Sequence, residues 1–258
     1  MSDPNNGRFV WYELMTSDPK AAISFYEEVI GWKTQAWEGG EYTMFVGSQG
    51  PLGGTMKLPE EAKKMGAPPH WTSNVQVADV DATVALARKH DARIYVEPND
   101  IPKIGRFAVI ADPQGASINV FKGTEPMTPH DGSKSGEFTW SELLTTNQEG
   151  AMHFYGALFG WEKMSEFDMG PMGKYFLYGI GGKQLGGIMT KPKDMPAPSH
   201  WMYYVEIAGL DAAIARAKAK GAKLLNGPME VPGGARIAQL QDPQGAAFAL
   251  HEISKKSN

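Results

Sequence analysis

The sequence of 258 residues contains no cysteine. Disulfide bonds, thiolate metal sites and a cysteine nucleophile are therefore excluded, and the composition favours a cytoplasmic location. No run of about 18 apolar residues is present, which argues against a transmembrane helix and a membrane partner. The N-terminus lacks the basic and apolar regions of a secretory signal. Basic residues are outnumbered, 25 against 29 acidic ones, so we do not expect a nucleic-acid partner.

An internal duplication organises the chain. The stretch "FVWYELMTSD" near the start recurs as "FTWSELLTTN" past the midpoint, and each places a glutamate inside a largely apolar run. Aligning Trp11–Lys33 with Trp140–Glu162 gives nine identities in 23 positions. A repeat this long predicts two tandem domains, residues 1–124 and 136–258, joined by a polar linker at 125–135.

Each domain is predicted to contain two β-α-β-β-β units. In the first unit, residues 8–16 alternate as a strand, Asp18 followed by proline starts a helix, and Gly31 ends it. In the second unit, Asp79 caps a helix over 80–90, and short strands follow each helix. The two "DPQG" stretches are interpreted as turns. Residues expected in the core are Ala22, Phe25, Tyr26, Val29, Trp71, Val80, Val84, Ala87 and Trp201.

These elements together resemble a known family. A strand, a capped helix ending in "FYEEVIGW" or "FYGALFGW", and a later "GRFAVIADPQGASINVF" are similar to the vicinal oxygen chelate superfamily of glyoxalases, bleomycin-resistance proteins and extradiol dioxygenases. The resemblance covers nearly the whole chain twice, as in tandem two-domain bacterial glyoxalase-like members. It implies an α+β fold in which each domain pairs two βαβββ units into an open barrel-like cup that binds a small molecule.

The resemblance also implies positions for metal ligands, and these can be tested residue by residue. They fall at Trp11, Thr72 and Asn119 in the first domain and at Trp140, Met202 and Ala249 in the second. None of these side chains is a good ligand for a divalent ion at a catalytic site, so we expect no metal cofactor. The alternative is a divalent metal such as Zn, Fe or Mn at a displaced site in the second domain. Its ligands would be Glu142, His200 and His251.

Strand alternation predicts which side chains face each cup. Trp11 and Trp140 would either stack on a planar ligand or fill the cup. His70 and His200 enter strands directly after proline-containing loops, and we favour a structural hydrogen bond to the loop over a ligand contact. The candidate ligand-binding residues are Trp11, His70, Thr72, Asn74, Asn119, Phe121, Trp140, Met202, Tyr204 and His251.

Glu13 and Glu142 are the candidate catalytic residues. A buried carboxylate must be paired or must shift its pKa. We favour a structural pairing with Arg106 and Arg236, which lie on a strand of each second unit. The alternative is a general base or a ligand anchor.

The favoured function is binding of a small aromatic or amphipathic molecule without the family's standard metal centre. One alternative is a lyase, isomerase or dioxygenase that uses the displaced metal or a glutamate base. Another is that one domain has become a scaffold and the chain acts through protein contacts. The expected partner is a small molecule, and the chain is expected to be a monomer or a homodimer.

Overall fold

The structure is a computed structural model, and it describes residues 5–38, 41–127 and 130–253. None of the helices among these residues is long and apolar enough to cross a membrane. The α-helices are α1 Pro19–Val29, α2 Glu60–Lys64, α3 Val80–Lys89, α4 Gln148–Phe159 and α5 Leu210–Ala219, with a 3₁₀ helix at Gly170–Met172. The strands of the first repeat are β1 Phe9–Thr16, β2 Lys33–Ala36, β3 Thr43–Gly47, β4 Gly50–Lys57, β5 His70–Gln76, β6 Arg93–Ile101, β7 Gly105–Ala111 and β8 Ser117–Gly123. Those of the second repeat are β9 Phe138–Thr145, β10 Glu162–Asp168, β11 Lys174–Ile180, β12 Lys183–Thr190, β13 His200–Glu206, β14 Lys223–Glu230, β15 Arg236–Gln241 and β16 Ala247–Glu252.

Each repeat forms one eight-stranded mixed sheet. The strand orders are β2-β3-β4-β1-β5-β8-β7-β6 and β10-β11-β12-β9-β13-β16-β15-β14. The predicted α+β class, with two tandem domains that each contain two βαβββ units, is therefore confirmed. The short helix α2 and the 3₁₀ helix were not predicted, because neither carries an amphipathic period long enough to recognise.

Local sequence signals explain where the longer helices begin and which face they bury. The Asp18 carboxylate accepts a hydrogen bond from the Ala21 N–H at 3.1 Å, and Asp79 does the same for Ala82 at 2.9 Å. Gly31 follows α1 with φ of 91°, a backbone conformation that favours glycine. The residues predicted to face the core are buried in both helices: Ala22, Phe25, Tyr26 and Val29 in α1, and Val80, Val84 and Ala87 in α3.

The packing of the chain cuts across the repeats. One compact unit comprises the described residues of Met1–Trp11, Thr72–Pro129 and Ser141–Trp201. The other comprises those of Tyr12–Trp71, His130–Trp140 and Met202–Asn258. Each unit therefore combines parts of both repeats. The repeat limits 1–124 and 136–258 stay a prediction, and residues 128 and 129 of the predicted linker 125–135 lie outside the described part of the chain.

A buried hydrogen-bond network joins parts of the two repeats within the second of these compact units. The Tyr26 hydroxyl of α1 donates to Asp242 Oδ2 at 3.1 Å and accepts from Trp71 Nε1 at 2.9 Å. Asp242 belongs to the second "DPQG" stretch, where its other oxygen accepts the Ala246 N–H at 2.9 Å and so forms the predicted turn. Trp71 lies in the core as predicted, with 5% of its surface exposed. Asp242 thus forms the predicted turn and also accepts the Tyr26 hydrogen bond, which the sequence did not indicate.

The other unit contains the matching network. Tyr155 of α4 donates to Asp112 Oδ2 at 3.1 Å, and Trp201 Nε1 donates to the Tyr155 hydroxyl at 3.2 Å. Trp201 is buried, as predicted. Burial raises the pKa of Asp112, and also that of Asp242, above the usual range of an aspartate. The Tyr, Trp and Asp of the recurring sequence motifs therefore belong to the core.

Candidate functional site

The arginine expected to pair with Glu13 binds other carboxylates. Arg106 donates to Asp81 through Nε at 2.7 Å and to Asp100 through Nη1 at 2.8 Å. It shares a face of β7 with the buried Ile110, and α3 packs on that strand, which brings Asp81 in the first turn of α3 within reach. The predicted pairing of Arg106 with Glu13 is therefore wrong.

The second repeat shows the same correction. Arg236 donates to Asp211 in the first turn of α5 at 2.8 Å, and its other terminal nitrogen lies 3.4 Å from Glu252. Its predicted pairing with Glu142 is wrong for the same reason: the arginine lies on the side of its strand that a helix covers.

Glu142 is held by a tyrosine. Its side chain lies on β9, only 6% of the residue is exposed, and Oε1 accepts a hydrogen bond of 2.7 Å from the Tyr175 hydroxyl of β11. Gly187 of β12 is the register partner of Glu142. A Cβ atom at Gly187 would overlap the Tyr175 hydroxyl, so the missing side chain is what admits the tyrosine ring. We call Glu142, Tyr175 and Gly187 the Glu142 site.

The first repeat contains the same arrangement. The Tyr42 hydroxyl donates to Glu13 Oε1 at 3.3 Å. Gly54 of β4 is the register partner of Glu13, and a Cβ atom there would overlap the Tyr42 ring. We call Glu13, Tyr42 and Gly54 the Glu13 site. Glu13 is half-buried, whereas Glu142 is buried, so the second copy is the more closed of the two.

Sequence reasoning missed both tyrosines. Tyr42 and Tyr175 are 133 positions apart, as are Gly54 and Gly187, whereas Glu13 and Glu142 are 129 apart. The usable signal was the match of "LGGTMK" with "LGGIMT", because the offset of that match also carries one tyrosine onto the other.

The two strand-entry histidines make the predicted loop contact. His70 Nδ1 lies 2.7 Å from the Pro68 carbonyl oxygen, and His200 Nδ1 lies 2.8 Å from that of Pro198. A carbonyl only accepts, so Nδ1 carries the proton in each ring. Burial lowers the pKa of both histidines below the usual range. A ligand contact by either ring stays a prediction.

Four candidate residues of the first repeat lie on neighbouring strands within one unit. Asn74 of β5 is the register partner of Asn119 of β8, and the next pair on the same face is Gln76 with Phe121. Thr72 precedes Asn74 by two residues, and its buried hydroxyl has no hydrogen-bond partner among the described residues. The structure thus brings together the predicted residues Thr72, Asn74, Asn119 and Phe121.

The corresponding face of the second repeat carries different side chains. Tyr204 of β13 pairs with Ala249 of β16, and its hydroxyl accepts a hydrogen bond of 2.7 Å from Gln239 Nε2. The next register pair is Glu206 with His251. The candidates Met202, Tyr204 and His251 therefore share this part of the sheet, while Gln239 was not predicted. Its side chain became recognisable only from the pairing of β15 with β16.

Trp11 and Trp140 are half-buried on β1 and β9. This exposure is compatible with both predicted roles, stacking on a ligand and filling the cup. Their role as ligand contacts stays a prediction.

The side chains present do not fit the family's metal centre. The expected ligand positions hold Trp11, Thr72 and Asn119 and their counterparts Trp140, Met202 and Ala249. In the part of the chain that the structure describes, no three His, Asp or Glu side chains form a group that could hold a metal ion. The alternative set of Glu142, His200 and His251 is therefore not assembled. Glu142 accepts a hydrogen bond from Tyr175, His200 Nδ1 contacts the Pro198 carbonyl, and His251 Nδ1 contacts Glu206.

Comparison with known proteins connects this arrangement to a family. The model of the Glyoxalase/Bleomycin resistance protein/Dioxygenase superfamily matches residues 8–120 and 138–250. The chain is 31% identical over 254 residues to the protein CFP32 of Mycobacterium tuberculosis, covering 96% of each chain. It is 27% identical over 262 residues to the anthracycline biosynthesis protein DnrV of Streptomyces peucetius, covering 96% of this chain and 94% of that one.

Solved structures share the fold at low sequence identity. The Mn(II)-bound glyoxalase of Novosphingobium aromaticivorans matches with a TM-score of 0.68 at 14% identity, over 96% of this chain and 82% of that one. The 2,3-dioxygenase LapB of Pseudomonas sp. KL28 matches with a TM-score of 0.67 at 11% identity, over 97% and 93%.

Proposed function

This chain belongs to the Glyoxalase/Bleomycin resistance protein/Dioxygenase superfamily, but no group of side chains among its described residues fits the family's metal centre. We propose that it binds a small aromatic molecule bearing hydroxyl or carbonyl oxygens, without that metal. The Glu13 site and the Glu142 site are the polar anchors of this proposal.

The observation that carries the proposal is the duplicated pairing of a strand glutamate with a tyrosine over a glycine. The Glu142 carboxylate is 6% exposed, and its hydrogen bond to Tyr175 fixes the orientation of the group. A carboxylate held in this way accepts a further hydrogen bond from a phenolic O–H, and such charge-assisted bonds are about twice as strong as neutral ones. The tyrosine ring beside it supplies an apolar surface for a planar ligand.

One relative supports the ligand class. DnrV carries the name of an anthracycline biosynthesis protein. Anthracyclines are planar, polycyclic and rich in phenolic and quinone oxygens, so they combine the flat surface and the hydrogen-bond donors that a carboxylate beside a tyrosine would recognise. Trp11 and Trp140 are the sequence-based candidates for stacking on such a ring.

A titration with alizarin, a dihydroxyanthraquinone, tests the proposal. We expect saturable quenching of tryptophan fluorescence that is unchanged in excess EDTA. Glu142→Gln removes one charge-assisted hydrogen bond and is expected to weaken binding about tenfold. Trp140→Ala is expected to weaken it by a similar factor. The matched controls are Glu166→Gln and Trp37→Ala, which change an exposed carboxylate and an exposed tryptophan.

Two outcomes would contradict the proposal. The first is that the Glu142→Gln and Trp140→Ala variants bind alizarin as tightly as their controls. Glu142 would then not anchor the ligand, and Trp140 would not stack on it. Loss of alizarin binding in EDTA would show that a metal ion takes part.

A further inference from the structure

A half-buried histidine and a buried glutamate form a pair in the second repeat. His251 Nδ1 of β16 lies 2.7 Å from Glu206 Oε2 of β13, its register partner. The other Glu206 oxygen accepts the Ile253 N–H at 3.1 Å, which holds the carboxylate in place. The Glu206 side chain is 8% exposed and the His251 side chain 17%. Glu206 is thus covered, whereas part of the imidazole is accessible.

This geometry determines which ring nitrogen is available. A carboxylate only accepts hydrogen bonds, so Nδ1 of His251 must carry the proton that the two groups share. In the neutral ring the lone pair then lies on Nε2, the nitrogen remote from Glu206. Of the groups beside His251, Glu206 on β13 is titratable, the register partner Ile237 on β15 is apolar, and the adjacent Glu252 interacts with Arg236. The imidazole is therefore oriented by one buried carboxylate.

The fold does not require this pair. In the first repeat the same register position, between β5 and β8, holds Gln76 and Phe121. Both repeats form the same eight-stranded order, so the sheet also forms with a glutamine and a phenylalanine at this position. The strand order alone therefore does not explain why the second repeat carries this histidine and glutamate.

We propose that His251 is a general base that takes a proton from a carbon next to a carbonyl group of an aromatic ketone, with Glu206 as its positioning residue. The C–H electron pair becomes the π bond of an enolate as the proton moves to Nε2, and the Glu206 carboxylate stabilises the resulting imidazolium. Return of the proton to the same carbon completes an exchange or epimerisation, without a change of oxidation state. Only the substrate class rests on the proposed function.

Exchange of the α-hydrogens of β-tetralone in D₂O, followed by proton NMR, tests this role. We expect the wild-type chain to accelerate exchange above the buffer rate. His251→Ala should lower the rate by about 100-fold, the usual contribution of a general base. Free imidazole should restore part of that rate, because it can fill the space left by the side chain and supply the lost base. His153→Gln, an exposed histidine on α4, should leave the rate unchanged.

Further variants separate positioning from folding. Glu206→Gln is expected to lower kcat at least tenfold with KM within twofold, because the carboxylate orients the base without touching substrate. The double variant E206Q/H251F reproduces the pair of the first repeat, so it should fold and have no exchange activity. Alizarin titration of the same samples reports on the proposed function separately.

The outcomes distinguish the two proposals. Exchange by His251→Ala or E206Q/H251F at the wild-type rate, absence of imidazole rescue, or no exchange by the wild type would overturn the assignment of His251. If alizarin still binds in that case, the proposed function stands alone. If exchange depends on His251 while alizarin does not bind, the base is correct and the aromatic anchor sites are not.

Discussion

Replacing Tyr26 with phenylalanine removes one hydroxyl from the buried network of the unit that contains α1. That hydroxyl donates to Asp242 and accepts from Trp71, at 3.1 and 2.9 Å. The substitution leaves an indole N–H and a carboxylate oxygen without this partner, in a region where Tyr26 is 0%, Asp242 3% and Trp71 5% exposed. Each buried group that loses its hydrogen bond costs about 1–3 kcal/mol. We therefore expect Tyr26→Phe to lower the free energy of unfolding by about 3 kcal/mol.

Urea denaturation followed by far-UV circular dichroism measures this loss. Tyr95→Phe is the matched control, because Tyr95 is 38% exposed and removal of its hydroxyl should change stability by less than about 0.5 kcal/mol. A double-mutant cycle with Asp242→Asn isolates the tyrosine–aspartate interaction. Because the two groups are in direct contact, the losses should be non-additive by about 1–2 kcal/mol.

Two results would refute this reasoning. A loss below about 1 kcal/mol for Tyr26→Phe would mean that the freed groups find other partners, contrary to the expected penalty for a buried unsatisfied group. Strict additivity with Asp242→Asn would mean that the hydroxyl and the carboxylate do not stabilise each other.

Gly187→Ala places a Cβ where the Tyr175 hydroxyl lies. It should therefore lower the free energy of unfolding, measured in urea, by about 1–3 kcal/mol and weaken alizarin binding. An unchanged stability and an unchanged alizarin affinity would refute the close approach of Gly187 and Tyr175. Burial keeps the pKa of His70 below its unfolded value, so its contribution to stability is present above about pH 6.5 and is lost as pH falls through the folded pKa. His70→Gln should therefore flatten the decline of the urea midpoint between pH 7 and 5, and an unaltered slope would contradict the shift. Arg106→Gln should leave alizarin affinity within twofold, because the arginine binds Asp81 rather than a site glutamate, and a larger effect would revive the rejected pairing.

The elements that could be predicted from the sequence are those set by local signals. Asp18 and Asp79 cap their helices as expected, since the capping oxygen and the N–H it receives are three residues apart. The buried helix faces follow from the same short period. The duplicated fold followed from the repeat itself, because one copy confirms the pattern of the other.

Contacts between distant positions could not be predicted in the same way. Tyr26 and Asp242 are separated by 216 positions, and no period or motif connects them. The Glu13 site could not be recognised by aligning the repeats at a single offset, because the spacing between its glutamate and its tyrosine differs from that in the second repeat. Register pairs such as Glu206 with His251 require the sheet order, which the sequence indicated only through a family resemblance.

The arginine error had a recognisable cause. Arg106 alternates with Ala108 and Ile110, which are buried, so its parity already placed it on the helix side of β7. Charge complementarity favours a pairing with Glu13, but this alternation excludes it. The strand period is the better predictor, because it determines which face of the sheet a side chain lies on and therefore which partners it can reach.

The reciprocal tyrosine–aspartate networks have a consequence for inheritance. After a gene duplicates, one copy is normally free to decay. Here Tyr26 of the first copy depends on Asp242 of the second, and Tyr155 of the second depends on Asp112 of the first. Loss of either copy would strip the survivor of a buried partner, so selection must keep both even when only one performs chemistry. The core residues of the two copies must therefore be retained together, while the residues on the sheet faces can diverge.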